Sequence, residues 1–286
     1  MFAIKGYEFS SHSQNMKNDD YDFERTELFF SSQYDSVTQE DFNLVCENLP
    51  KFSQLKYLTF TIFGSGLSDQ QIEHLAKQIE SYDKLTQFQF NFGIGCINDN
   101  ALKSITQVLE KCSATLKSVS IIDQSSKITS GSIPAFANAI KQLQKIENFE
   151  IQINSTQQIN NQDIIHIANS LSTISSLKQL KLHIYNLNLS DEIVPHIIEI
   201  IKKNQELEKI ELDLCTNQLT EQGITPLIDE ILKAKNLTDL MFQIKDNKFD
   251  HSKIIKSRLL NKHFKLYKTY FEEEDLKKKE SGCNIF

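Results

Sequence analysis

His183, Glu211 and Asp213 are the side chains in this chain best suited by type to move a proton or hold a cation. An imidazole beside two carboxylates can act as an acid–base pair or supply ligands to a metal ion. The three lie in two runs of alternating apolar and polar residues, which places them on adjacent strands, about 5 Å apart laterally. A solvated ladder of charges across a sheet has the same signature, and that is the expected reading. His74, His166 and His196 recur at one helical position beside the core face and are expected to be solvated or half-buried. Gly64-Ser-Gly66 and Gly93-Ile-Gly95 could suggest a phosphate loop, but no Lys follows at P-loop spacing and the third glycine of a dinucleotide fingerprint is missing. No kinase set, G-x-S-x-G elbow or Cys/His metal spacing occurs. The expectation is a non-catalytic chain with no metal and no cofactor.

The elements that position these residues come from an internal repeat of 30 to 31 residues. Each unit opens with apolar residues at its first, fourth and sixth positions. The copies are Leu55/Leu58/Phe60, Leu85/Phe88/Phe90, Leu116/Val119/Ile121, Ile146/Phe149/Ile151, Leu177/Leu180/Leu182, Leu207/Ile210/Leu212 and Leu237/Leu240/Phe242. A degenerate copy precedes them, with Arg25 in the first slot, then Leu28 and Phe30. In Leu207–Leu214 the apolar residues alternate with charged ones, the period of a strand with one buried face. Asp123 interrupts this alternation at position eight.

The second half of each unit reads as a helix. Position fourteen is a helix-capping type in every copy: Ser68, Asn98, Thr129, Asn160, Ser190, Thr220 and Asp250. Apolar residues then return at helical spacing, as in Ile72/Leu75/Ala76/Ile79. One unit cannot fold alone. Its roughly eight apolar side chains contribute about 1.5–3 kcal/mol each when buried, against about 1–2 kcal/mol of backbone entropy per ordered residue. Stacking must share each apolar face between neighbours. The fold class is therefore α/β, a solenoid of about eight repeats. Residues 1–24 form an N-terminal cap or irregular segment, 25–250 the array, 251–272 capping helices and 273–286 a flexible tail.

A strand beginning L-x-x-L-x-L, then an apolar residue, then an amphipathic helix resembles the leucine-rich repeat. The unit length and full helix resemble its ribonuclease-inhibitor-like subtype. The resemblance covers about residues 25 to 260 and implies a horseshoe, with parallel strands on the concave face and helices on the convex face. The chain departs from the pattern at position nine, where the family places Asn. Here Phe63, Gly93, Gln124, Asn154, Tyr185, Cys215 and Lys245 stand. The asparagine ladder of the family is thus expected to be missing, with Asn217 taking its part in one unit.

Positions three, five, seven and nine should face the concave surface. The expected partner-binding strip comprises Tyr57, Phe63, Lys181, His183, Tyr185, Glu211, Asp213, Asp239 and Met241. The resemblance implies a protein partner, recognised across several strands. The alternative is a regulator of small GTPases, similar to the Ran GTPase-activating family, which shares this subtype. Against it stand the missing acidic tail and the absence of an Asn in a matching active loop.

The net charge is −7, which argues against nucleic acid as a general partner. Positive charge is nearly all lysine, and tryptophan is absent, a bias resembling that of chains from AT-rich genomes. No secretory signal or membrane-spanning run is read, so five scattered cysteines are expected as thiols in a cytoplasmic protein. The chain ends Cys283-Asn-Ile-Phe286, which resembles a C-a-a-X prenylation box. Lys277, Lys278 and Lys279 would strengthen contact with an anionic membrane by about 1 kcal/mol each. The expected location is thus the cytoplasm or the cytoplasmic face of a membrane.

Overall fold

The computed structural model of the chain describes residues 26–33, 39–63, 68–92, 97–123, 127–154, 158–250 and 265–266. Strands lie at Glu27–Gln33 (β1), Tyr57–Phe63 (β2), Gln87–Phe92 (β3), Ser118–Asp123 (β4), Asn148–Gln152 (β5), Gln179–His183 (β6), Lys209–Asp213 (β7), Asp239–Gln243 (β8) and Lys265–Leu266 (β9). They form one parallel sheet in strict sequence order. Helices alternate with them at Gln39–Asn48 (α1), Asp69–Ile79 (α2), Asp99–Lys111 (α3), Ile133–Gln142 (α4), Asn161–Leu171 (α5), Val194–Lys203 (α6) and Glu221–Ile231 (α7). This is the α/β solenoid that the repeat implies.

The register is the sequence period itself. Leu28 pairs with Leu58, Leu58 with Phe88 and Phe88 with Val119, and so on to Ile210 with Leu240. Positions four and six are buried in columns running through the array, and β5 to β8 show the buried–half-buried alternation of a sheet with one covered face. Cys46, Ala76, Ala137 and Ala168 occupy one helical slot and are all buried, so small side chains let the helices lie close on the sheet. The first two units close their core with aromatic rings: Phe60 meets Phe90 edge-on at 6.3 Å.

Four of the expected N-caps hold. Ser68, Asn98, Asn160 and Thr220 each accept a backbone N–H of their helix's first turn. Two do not act as expected, and the helix expected after Asp250 lies outside the described residues. Beyond Thr129 the helix begins only at Ile133, and beyond Ser190 a short 3-10 turn precedes α6. Pro134 and Pro195 sit in the first turns of those helices, where the missing N–H is harmless and the fixed φ favours a start. Thr129 and Ser190 are engaged instead by the preceding repeat. Asp99 accepts from the Thr129 amide at 2.8 Å, its hydroxyl at 2.7 Å and the Ser132 hydroxyl at 2.6 Å. Asn161 accepts from the Ser190 amide at 2.9 Å, and Asp191 from the Thr220 amide at 2.8 Å. The residue after the cap thus ties one unit to the next. Gly223 leaves room for this: a Cβ there would lie 2.1 Å from Asp191 Oδ1.

Burial opposes ionisation of Asp99, but the hydrogen bonds from Ser132 and Thr129 outweigh it and hold the carboxyl below its ordinary range. A depressed folded-state pKa contributes stability above the unfolded value of about 3.9, lost as pH falls through the folded value. Asp99→Ala is expected to lower stability by about 1–2 kcal/mol at pH 7 and by less in acid below pH 3, read from urea midpoints. Asp99→Asn should retain most of the tie, as Asn161 does in its own unit. A penalty for the alanine variant that is equal at both pH values would count against the carboxylate.

The asparagine ladder is present in two units rather than one. Asn217 accepts from the Leu187 and Leu189 amides at 3.1 Å each and donates to the Ile184, Leu214 and Cys215 carbonyls. Asn247 accepts from Leu219 N and donates to the Leu214, Ile244 and Lys245 carbonyls. Both stand at position eleven of their units. Asn154, at position nine, makes no such set, and its buried Oδ1 has no hydrogen-bond partner among the described residues. Within the segment expected as capping helices, the described Lys265–Leu266 pair with Asp239 and Leu240. The N-terminal cap and the tail lie outside the described residues.

Candidate functional site

The sheet face away from the helices displays the side chains of positions three, five and seven in rows across the strands. Strand spacing sets neighbours about 4.8 Å apart. Along position five the row is hydrogen-bonded laterally. Thr59 donates to Gln89 at 3.1 Å, Ser120 donates to Glu150 at 2.9 Å, and Lys181 lies 3.4 Å from Glu150 and 3.8 Å from Glu211. Lys209 completes the cluster at 2.6 Å from Glu211.

The structure brings together much of the expected strip. Lys181, His183 and Glu211 form one network, with His183 Nε2 at 3.8 Å from Glu211. The hydrogen bond to Glu211 raises the Lys209 pKa, against a smaller effect of desolvation, so this cation is retained. Asp213 pairs with His183 in register, but its Oδ1 accepts from the Cys215 amide at 3.1 Å. Tyr185 is half-buried rather than free: its hydroxyl accepts from Gln152 at 3.1 Å and from the Asn154 amide. Burial pushes its pKa up. Asp239 and Met241 stand on β8, half-buried, with Met241 beside Glu211. Tyr57 stands apart at the other end of the sheet, 42 % exposed. Phe63 closes β2, but its side chain lies outside the described residues, as do Lys277, Lys278, Lys279 and Cys283.

Chemically this arrangement is a ladder of compensated charges. Among the described residues, no group of three or more His, Cys, Asp and Glu is placed to hold a metal. Cys215, two residues after Asp213, is a nucleophile by type, but burial and Asp213 push its thiol up to about 12, so it stays protonated. Cys46 and Cys112 are buried free thiols. The apolar gap lined by Ile151, Ile167, Ala168 and Leu182 holds only about 10 Å³, too little for any substrate. The sequence did not disclose Glu150 and Lys209 as members of the network. Their only signal was a charge at a concave position on a strand next to an opposite charge.

No family model matches the chain, and no curated protein matches it. Solved structures do. A Bacteroides fragilis protein from a structural genomics programme superposes with a TM-score of 0.42 at 11% identity, over 75% of this chain and 67% of that one. A leucine-rich-repeat protein of Leptospira interrogans gives a TM-score of 0.22 at 13% identity, over 85% of this chain and 90% of that one. Identities this low say nothing of a shared ligand, and the leucine-rich-repeat-like architecture rests on the register of this chain's own strands.

Proposed function

We propose that this chain is a non-catalytic scaffold that binds a folded protein partner across the strands of its concave face, centred on β6 to β8. The observation that supports this is the network of Glu150, Lys181, Glu211 and Lys209. Its side chains are already held by one another at 15–33% exposure, so a partner meets a charge pattern that needs little further ordering. His183, Asp213, Asp239, Tyr185 and Met241 border it, with Tyr57 and Phe63 toward the other end. Mixed charge with half-buried apolar side chains suits selectivity more than raw affinity. The partner captured by the wild-type chain is expected to bind the Lys181→Glu/Lys209→Glu variant at least about tenfold more weakly, a loss of about 1.4 kcal/mol. Circular dichroism should show both folded. Undiminished binding by the variant would remove the concave face from the reading. The GTPase-regulator alternative is separated with the same preparation: phosphate release from GTP-loaded GTPases is expected to stay unchanged.

A lipid tether through Cys283 rests on the sequence. No helix of the described residues is long and apolar enough to cross a membrane. Cys283→Ser is expected to move the protein from the membrane to the soluble fraction, and a wholly soluble wild type would end the idea.

A further inference from the structure

β1, seven residues long, ends the sheet on one side. It pairs with β2, and no described residue pairs with its outer edge. The rest of the array shows what belongs there. In each of the seven later units the amides of positions two and three donate to the position-two carbonyl of the preceding unit. Lys56 and Tyr57 donate to Thr26 at 2.8 and 3.0 Å, Thr86 and Gln87 to Lys56 at 2.8 and 3.0 Å, and so on to Thr238 and Asp239 on Glu208. The Thr26 and Glu27 amides stand at the same two positions and have no such acceptor among the described residues.

Residues 1–25 lie outside the described residues, but their sequence carries the signature of the missing neighbour. Ile4, Tyr7 and Phe9 have the spacing of the apolar first, fourth and sixth positions. Gly6, Glu8 and Ser10 then fall on the outward positions three, five and seven, the alternation of a half-buried strand. Phe9-Ser10-Ser11 is identical to Phe30-Ser31-Ser32, the sixth to eighth positions of the unit that holds β1. Ile4 precedes Arg25 by 21 residues, a shortened step. The other end of the sheet also takes a shortened step, since Leu240 pairs with Leu266. A parallel connection needs about a dozen residues or more, and residues 12–26 supply them. A strand tethered this closely has an effective concentration on the order of millimolar, so it outcompetes a free strand of equal affinity.

We propose that residues 4–11 add a parallel strand to the outer edge of β1, with Tyr7 beside Leu28 and Phe9 beside Phe30, and that this strand closes the edge to a second copy of the chain. The Lys5 carbonyl then accepts from the Thr26 and Glu27 amides. Left open, an edge of this length is a template for another chain. This edge is separate from the charged network of β5 to β8.

Paired cysteines in the full chain test the register. Ser10→Cys/Ser31→Cys sets two thiols at position seven of neighbouring strands, where Cα atoms about 4.8 Å apart suit a disulfide. With oxidised glutathione this link is expected within one molecule, identified by peptide mass. Ser10→Cys/Glu27→Cys, four residues out of register and about 13 Å apart along the strand, should link at least about tenfold more slowly. Hydrogen exchange is the second measurement. Tyr7→Asp/Phe9→Asp puts charge into the apolar columns. The outward amides of Glu27, Phe29 and Ser31 are then expected to exchange at least about tenfold faster than in wild type, with β5 to β7 unchanged. Sedimentation should show wild type as a monomer and this variant as a concentration-dependent dimer. The proposal is overturned if the two cysteine pairs link equally fast, or if the aspartates leave the β1 amides unchanged. A link that forms only between molecules also overturns it and gives the edge to a second copy. A variant with fast amides that stays monomeric overturns the role in closing the edge.

Discussion

Asn217→Ala is expected to lower the free energy of unfolding by about 3–5 kcal/mol, a large share of what a domain of this kind holds. The side chain is 2% exposed and makes five hydrogen bonds to backbone groups of two adjacent units. Removing it leaves the Leu187 and Leu189 amides and the Ile184 carbonyl without this partner in a place water cannot readily reach, at about 1–3 kcal/mol for each group left unsatisfied. The turn it supports also holds Asn186, Asn188 and Thr216 at positive φ, a conformation that L-residues adopt at some expense. Urea unfolding of the alanine variant measures the loss. Asn154→Ala is the contrast. That asparagine is as buried, yet its Oδ1 has no partner among the described residues, so its removal is expected to change stability by less than about 1 kcal/mol. Equal losses at the two positions would show that burial of an amide, not the bonds of the ladder, is what matters.

Phe90→Ala should cost about 3–5 kcal/mol as well, through a different mechanism. The ring is fully buried on β3, packs edge-on to Phe60 of the preceding unit and lies 6.0 Å from Phe88. Its loss opens a cavity between two repeats. In a solenoid each unit contacts only its neighbours, so the deficit stays local. The expected result is a split transition: amides of β2 and β3 exchange early, while those of β6 and β7 remain protected. Uniform loss of protection along the whole array would mean that the chain unfolds as one cooperative block.

The repeat made the sheet order, the strand register and the core readable from residue types alone. Leu28 above Leu58 and Phe88 above Val119 follow because one apolar column recurs every 30 or 31 residues. The capping residues were readable for the same reason, wherever a helix begins directly after them. They failed at Thr129 and Ser190, where Pro134 and Pro195 set the helix start later and the hydroxyls turned to the previous unit. The ladder was half legible. Asn217 stood out beside its apolar neighbours, but Asn247 lies in a polar run and shows its role only through its contacts.

The apolar columns at positions four and six were legible in the order of the residues, because they recur with the repeat, whereas the burial of Thr59 and Ser120 at outward position five was not. Which outward polar groups are engaged and which are not depends on contacts between strands. Lys181 meets Glu150 and Glu211, Tyr185 meets Gln152, and the side chains of Gln87 and Asn148 meet no hydrogen-bond or ion-pair partner among the described residues. Those partners lie about thirty residues apart in sequence but one strand spacing apart in space. Side-chain reach and direction at that spacing choose between pairing and exposure, and neither is written in the order of the residues.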